Sequence, residues 1–345
     1  MADWMIYGAN GYTGELIARE AARQGLRPIV AGRNAERVPA LAAELGLPHR
    51  VFSAEEADLS GVSLLLNCAG PFSCTAKPVI AAALAAHVHY LDVTGEIDVF
   101  EYVRSLDAEA RRANIVLCPG VGFDVIPTDC LALALKRALP DASVLNLGFE
   151  SRSGKSPGTA KTTIEGMGAG TRIRRGGVLR TEPIGLRSRH IDFGNGMRLA
   201  VAFPWGDVST AYQTTGIPSI TVYVAVRPSF RWAMLAANLA APLLRLPAIR
   251  ERLKARAGAI VGPDATTRKN APTFVWGEAH NPSGAMRTAR IRTANGYDVT
   301  IHGALAVVRH IMEATTLRPG FVTPSMLCGV DLVERLPGSS VIRIV

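Results

Sequence analysis

The sequence predicts an α/β protein, a doubly wound parallel sheet followed by an α+β second domain with a largely antiparallel sheet. Three observations predict it. Over the first 120 residues short β-rich runs alternate with helical patterns, the order that builds a parallel sheet with crossover helices. A glycine-rich turn sits at the first strand-to-helix junction. After Gly122 the rhythm changes, and strands dominate.

In the first region, residues 4–7 form a strand, 15–24 a helix closed by Gly25, 28–31 a second strand and 36–45 a helix ended by Gly46. Strands at 50–52 and 62–66, an Ala-rich helix at 76–86, a strand at 90–93, a helix at 99–113 and a strand at 115–118 complete six candidate strands. Beyond a helix at 127–139, the segments 144–149, 199–203, 219–226, 273–279, 288–293 and 297–302 have strand character. Residues 159–171 and 231–256 are expected to be helical, 258–271 a loop, and 303–314 and 324–336 helical again. This divides the chain into a nucleotide-binding domain (1–125), a substrate and dimerisation domain (126–302) and C-terminal helices (303–345) that return to the first domain.

The first strand runs into Gly8-Ala9-Asn10-Gly11-Tyr12-Thr13-Gly14, a GxxGxxG turn opening a helix. Glycines there permit a tight turn and let a pyrophosphate approach backbone N–H groups at the positive helix end. At this position in a doubly wound sheet the motif predicts a Rossmann dinucleotide site. The second strand ends in Ala31-Gly32-Arg33-Asn34, with Arg37 a turn later. No carboxylate stands at the tip to bind ribose hydroxyls, whereas Arg33 and Arg37 suit the phosphate of NADP.

Composition narrows the remaining classes. With 38 Lys and Arg against 29 Asp and Glu the net charge is +9, but the arginines between 172 and 189 lack interleaved aromatics, so no nucleic-acid partner is expected. Those arginines could receive the phosphates of coenzyme A or a carrier, or form a solvated loop. Five cysteines, with no CxxC pair, predict neither a disulfide framework nor a metal site and fit a reducing cytoplasm. The beginning of the chain has no signal-peptide pattern, and the apolar run 232–244 is too short to span a bilayer. That run could be a core helix, a dimer face or a peripheral membrane contact. None of the seven tyrosines is followed four residues later by Lys, which disfavours short-chain dehydrogenase chemistry. Gly154-Lys155-Ser156 lacks the upstream glycine of a P-loop.

Three further segments lie at carboxyl ends of strands, where open α/β sheets bind ligands: Asn67-Cys68-Ala69-Gly70-Pro71-Phe72, Tyr90-Leu91-Asp92-Val93-Thr94-Gly95-Glu96, and Pro119-Gly120-Val121-Gly122-Phe123-Asp124-Val125-Ile126-Pro127-Thr128-Asp129. With GANGYTG and AGRN, the chain resembles the saccharopine dehydrogenase-like oxidoreductases, in particular the branch containing trans-acting enoyl reductases. The resemblance is most specific over residues 1–130, and GFDVIPTD is its most distinctive segment. Lys77 departs from the small or apolar residue expected there.

The resemblance implies NADP binding and a second domain that closes over the nicotinamide. It leaves open hydride transfer to an enoyl thioester or imine, saccharopine-type amino-acid chemistry, and a noncatalytic NADP sensor. The expected substrate is a small molecule, lipophilic or linked to coenzyme A or a carrier, and the expected assembly a homodimer. Asn67, Ala69, Gly70 and Pro71 are candidates to pass beside the nicotinamide ribose, as are Asp92, Gly122 and Phe123. Asp124 is a candidate catalytic acid or a cap for the following helix. Lys161 and Tyr297 are candidate proton donors or ordinary surface and sheet residues. Asp92 and Glu96 could bind substrate, orient a ribose or cap a turn.

Overall fold

Every residue of β1 (Asp3–Tyr7) after the first is buried, the pattern of a strand covered on both faces by helices. The computed structural model describes residues 3–152, 164, 168–244, 246–257 and 262–345. From β1 the chain passes through α1 (Tyr12–Arg23), β2 (Ile29–Gly32), α2 (Arg37–Leu45), β3 (His49–Val51), β4 (Val62–Asn67), α3 (Phe72–Ala86), β5 (His89–Asp92), α4 (Ile97–Ser105), α5 (Asp107–Arg112) and β6 (Val116–Cys118). These six strands and β15 (Gly320–Phe321) form one parallel sheet in the order β15-β6-β5-β4-β1-β2-β3. The chain reverses direction across the sheet between β1 and β4, which makes their carboxyl ends the switch point where such sheets bind ligands.

The second sheet runs β10 (Ser188–Asp192), β11 (Met197–Ala202), β12 (Ser219–Ala225), β7 (Val144–Glu150), β13 (Thr273–His280), β14 (Met286–Thr293) and β16 (Arg343–Ile344). Within it β12 and β7 pair in parallel and the other neighbours on this path are antiparallel. The hairpin of β8 (Thr171–Arg175) and β9 (Val178–Glu182) attaches to β12. Helices α6 (Ile126–Ala138) and α7 (Asp207–Thr215) pack together, α6 also lying on β13 and β14. Leu131 and Leu135 of α6 join Leu147, Val275 and Ile291 of this sheet and Ile6 and Leu64 of the first in one continuous core.

Several expected elements differ. Residues 297–302 are not a strand but the start of α12 (Gly296–Glu313), because the Asn295 side chain accepts the Tyr297 N–H (3.0 Å). Val299, Gly303, Val307 and Ile311 then form one buried stripe at helical spacing. Helix α12 packs against α1, with Arg309 donating to Gln24. The expected helix 99–113 is two helices meeting at Leu106, and at 324–336 only α13 (Pro324–Cys328) is helical. The expected helix 231–256 is α8 (Pro228–Leu239), α9 (Ala241–Leu244) and α10 (Pro247–Ala257). The loop expected at 258–271 contains α11 (Ala265–Lys269), while 258–261 and most of the helix expected at 159–171 lie outside the described residues. Among the described residues no helix is long and apolar enough to cross a membrane, and no cluster of His, Cys, Asp and Glu could hold a metal ion.

Candidate functional site

The turn after β1 depends on two glycines. Gly8 has φ +79°, and a Cβ there would lie 2.6 Å from the Ala69 backbone nitrogen. A Cβ on Gly14 would lie 2.3 Å from the Gly8 carbonyl oxygen. The turn therefore packs backbone to backbone against the loop after β4. Gly11 N donates to Gly8 O (3.0 Å), and α1 begins with no side-chain cap on its first N–H groups. Tyr12, Thr13 and Gly14 stand in that uncapped first turn, the arrangement that receives a pyrophosphate. Asn10 Oδ1 lies 2.8 Å from where a Gly32 Cβ would be, so the turn also abuts the end of β2.

At the tip of β2, Asn34 Oδ1 accepts the N–H groups of Glu36 (3.1 Å) and Arg37 (2.7 Å). The Asn34 side chain thus closes the turn into α2, while Arg33 and Arg37 are exposed beside it. Two guanidinium groups next to the switch point fit a nucleotide with an extra phosphate.

Asn67 and Asp92 were expected beside the cofactor, but both are fully buried. Asn67 Oδ1 accepts the Ala69 N–H (2.9 Å) and its Nδ2 donates to Tyr90 Oη (3.2 Å). Tyr90 Oη donates to Asp92 Oδ2 (2.9 Å), and Asp92 Oδ1 accepts the N–H groups of Thr94 (3.0 Å) and Gly120 (2.8 Å). These side chains brace the loops after β4, β5 and β6 from beneath, and their polar atoms are spent on that role. Burial raises the Asp92 carboxyl to about 6 despite those hydrogen bonds. Ala69, Gly70 and Pro71 remain accessible above the brace. Glu96 accepts the N–H groups of Phe72 (2.9 Å) and Ser73 (2.8 Å), which makes it an acceptor at the start of α3. Lys77 is exposed, with Nζ 5.3 Å from the Tyr102 ring centroid.

Asp124 occupies the junction of the two sheets. Its Oδ2 lies 2.4 Å from where a Gly95 Cβ would be, so it reaches over the loop after β5. Its backbone carbonyl accepts the Trp205 indole N–H (2.8 Å). Desolvation raises its carboxyl to about 7. The N-cap position of α6 is Val125, and no side chain accepts the first N–H groups of the helix. The cap reading of Asp124 is therefore not what the fold uses.

Phe123 N donates to Thr300 Oγ1 (2.9 Å), Gly122 abuts the same side chain, and the Phe123 ring lies against Gly296. Tyr297, the next residue, meets the Tyr12 ring edge to face with centroids 5.1 Å apart. The fold thus brings Tyr297 to the nucleotide turn, adjoining the segment that contacts Phe123. Lys161 lies outside the described residues.

Two features had no usable sequence signal. Phe123 packs edge to face on Phe149 (5.4 Å), Phe149 on Trp205 (4.7 Å) and Trp205 on Phe203 (6.3 Å), an aromatic wall beside Asp124 assembled from distant segments. Over the glycine turn lies the segment before α11: Tyr12 Oη donates to the Pro263 carbonyl, and Arg268 donates to Tyr12 Oη (3.3 Å) and pairs with Asp298 (3.0 Å). The arginines between 172 and 189 are largely committed elsewhere. Arg172 pairs with Asp98, buried Arg174 with Glu101 (2.5 Å), Arg187 with Glu182 and Arg189 with Glu278 (2.8 Å).

Comparison with known proteins assigns the first half of this site. Residues 4–118 match the family model of the saccharopine dehydrogenase NADP binding domain. The matched segment is the first third of the chain. It contains the glycine turn, the Arg33 tip and the braced loop of Asn67, all described above.

Among curated relatives of the whole chain, a saccharopine dehydrogenase-like oxidoreductase from Homo sapiens is 26% identical over 204 residues, 50% of this chain and 47% of that protein. A trans-acting enoyl reductase from Mycobacterium bovis is 30% identical over 158 residues, 39% of this chain and 35% of that protein. The chain spans less than half the length of these relatives. Among solved structures, apo saccharopine dehydrogenase (L-Glu forming) from Saccharomyces cerevisiae superposes with a TM-score of 0.65 at 11% identity, covering all of both chains. The NADP-binding domain and the mixed second sheet therefore share the saccharopine dehydrogenase fold. These relatives and the fold neighbour are all dehydrogenases, reductases or oxidoreductases by name.

Proposed function

We propose that the chain is an NADPH-dependent reductase acting on a C=C or C=N bond of a hydrophobic or carrier-linked substrate. The observation that carries this reading is the position of Asp124, between the NADP-binding domain and the aromatic wall of Phe123, Phe149 and Trp205. Fold alone does not determine chemistry; these side chains and their surroundings do.

The Gly8–Gly14 turn, with Arg33 and Arg37 at the adenosine end, would hold NADPH, which would supply the hydride. The remaining work belongs to the protein. The brace of Asn67, Tyr90 and Asp92 keeps the floor of the site fixed. The aromatic wall excludes water and offers apolar surface to the substrate chain. Asp124, with a carboxyl near 7, is protonated in about half of the molecules at neutral pH, far more than an ordinary aspartate, and holds that proton for the carbon or nitrogen that accepts it.

Two features support an apolar substrate over an amino acid. A dicarboxylate amino-acid ligand needs paired free cations, and four of the six arginines between 172 and 189 (Arg172, Arg174, Arg187 and Arg189) already have acidic partners. The enoyl reductase name of one relative fits the apolar wall as well.

The test follows NADPH oxidation with a panel of enoyl thioesters and a panel of imines, on the wild type and Asp124→Asn. Turnover by the wild type with one panel, reduced in the variant, is the expected result. NADPH binding with no turnover on either panel overturns the reductase reading and favours a noncatalytic NADP sensor.

A further inference from the structure

Among the described residues, none covers the apolar face of helix α8. Its inner row, Arg231, Met234, Leu235 and Asn238, has the spacing of one helical stripe and lies on the loop at Ile184 and Gly185. Asn238 bonds both the N–H (3.1 Å) and the carbonyl (2.9 Å) of Ile184, and Arg231 donates to the Gly185 carbonyl (3.2 Å). These contacts fix the rotation of the helix. The opposite face therefore points outward, with Phe230 53%, Trp232 66% and Leu239 88% exposed and Ala233 and Ala236 between them. Leu186 and Leu246, 55% and 48% exposed, lie in the flanking segments.

The sequence that follows this face is basic, and no charged residue interrupts the face itself. Between Pro228 and Pro242 the sole charged residue is Arg231, on the inner row, its guanidinium 5.6 Å from the Trp232 ring centroid. Over residues 227–257 the sequence has seven Lys and Arg (Arg227, Arg231, Arg245, Arg250, Arg252, Lys254, Arg256) against one acid, Glu251. This stretch accounts for six of the nine net positive charges of the chain. An exposed face of Trp, Phe, Leu and Ala bordered by arginine is the composition of a helix lying in the plane of a lipid interface. Exposed Trp and Phe gain most where an apolar interior meets a wet surface.

We infer that α8 and the basic segment after it dock the protein on an anionic lipid surface, with Phe230, Trp232 and Leu239 entering the headgroup boundary. Charge selects the occupant. A second copy facing this patch would oppose one net charge of +6 with another, whereas an anionic bilayer is complementary to it. The inference is independent of the substrate, since α8 lies outside the groups assigned to the NADP site.

The experiment is vesicle flotation of the full chain with phosphatidylcholine alone and with phosphatidylcholine mixed with phosphatidylglycerol, at low and high salt. The expected result is flotation with the anionic vesicles, weakened by salt. The double variant Phe230→Ser, Trp232→Ser should bind these vesicles about tenfold more weakly or worse, with unchanged circular dichroism and NADPH affinity. Arg227→Gln with Arg252→Gln should reduce the salt dependence without affecting NADPH. No flotation of folded wild type at low salt, or equal flotation of the apolar double variant, overturns the inference. Self-association that the double variant abolishes, without vesicle binding, overturns it in favour of a contact between copies.

Discussion

The carboxylate of Asp124 lies over the α-carbon of Gly95, so close that a methyl group on residue 95 would come within 2.4 Å of Oδ2. This contact joins the segment after β6, which enters the second domain, to the loop after β5 of the NADP-binding domain. The absent side chain at 95 is what leaves room for the acid.

Asp124→Asn should lower kcat by roughly 10²–10⁴-fold, the range for loss of a general acid. NADPH affinity should change little, because the substitution keeps the shape and leaves the glycine turn untouched. Gly95→Ala should also lower kcat by displacing the carboxylate, yet leave Asp124 able to titrate. Stopped-flow reduction and NADPH titration on the two variants separate the effects. A carboxyl near 7 also predicts that the reductive rate is highest below that pH and falls as pH rises through it. Asp124→Asn should abolish this limb of the profile.

Stability should carry its own pH signature. Burial raises the carboxyls of Asp92, Asp124, Asp129 and Asp207 above their usual range, to about 6 for Asp92 and about 7 for Asp124. A raised folded value means that the fold binds protons the unfolded chain releases. Each group's contribution is full below its unfolded pKa, about 3.9 for Asp, and is lost as pH rises through the folded value. Urea midpoints should therefore fall from pH 5 to pH 8. Asp207, whose Oδ2 is buried without a partner among the described residues, gives the cleanest control: Asp207→Asn should flatten the slope. An unchanged slope would remove Asp207 from the account.

Gly14→Ala tests the turn itself. The added methyl would meet the Gly8 carbonyl oxygen at 2.3 Å, and backbone cannot give way as a flexible side chain can. The expected cost is about 1–3 kcal/mol of stability, the usual range for overpacking, together with loss of NADPH binding. Calorimetry with and without NADPH measures both. Gly25→Ala, where no atom lies within 4 Å but φ is +74°, should cost about 1–2 kcal/mol through its left-handed backbone and yet retain NADPH binding.

Arg268 ties the segment before α11 to Tyr12 in the glycine turn, and Asp298 holds its other edge. Arg268→Ala should release that segment from the turn and increase the NADPH dissociation rate several-fold, with a smaller effect on association. Stopped-flow displacement of NADPH measures this. An unchanged dissociation rate would mean that the segment does not retain the nucleotide.

The parallel sheet was legible because its strands are short apolar runs punctuated by glycine, and burial on both faces leaves that pattern plain. What failed was local propensity against context. Val299, Thr300 and Ile301 are β-branched and resemble a strand, yet the Asn295 cap and a stripe continuing to Ile311 make them helical. The β8–β9 hairpin and β10 are rich in arginine and partly exposed, so neither alternation nor hydrophobicity announces them.

The site shows the same division. Gly8, Gly14 and Arg33 declare themselves through local geometry that a turn and a strand tip require. Asn67 and Asp92 sit in the same strand-end segments, but their burial depends on Tyr90 and Gly120 and has no local signature. The wall of Phe149, Phe203 and Trp205 exists through tertiary packing alone.

The central claim is that the glycine turn and the Arg33 tip bind NADPH in preference to NADH. It is tested most directly by titrating the wild type and Arg33→Ala with each nucleotide, following nicotinamide fluorescence. The account predicts tighter binding of NADPH by the wild type and loss of most of that preference in the variant, with NADH affinity nearly unchanged. Equal affinity of the wild type for both nucleotides, or no binding of either, would contradict it.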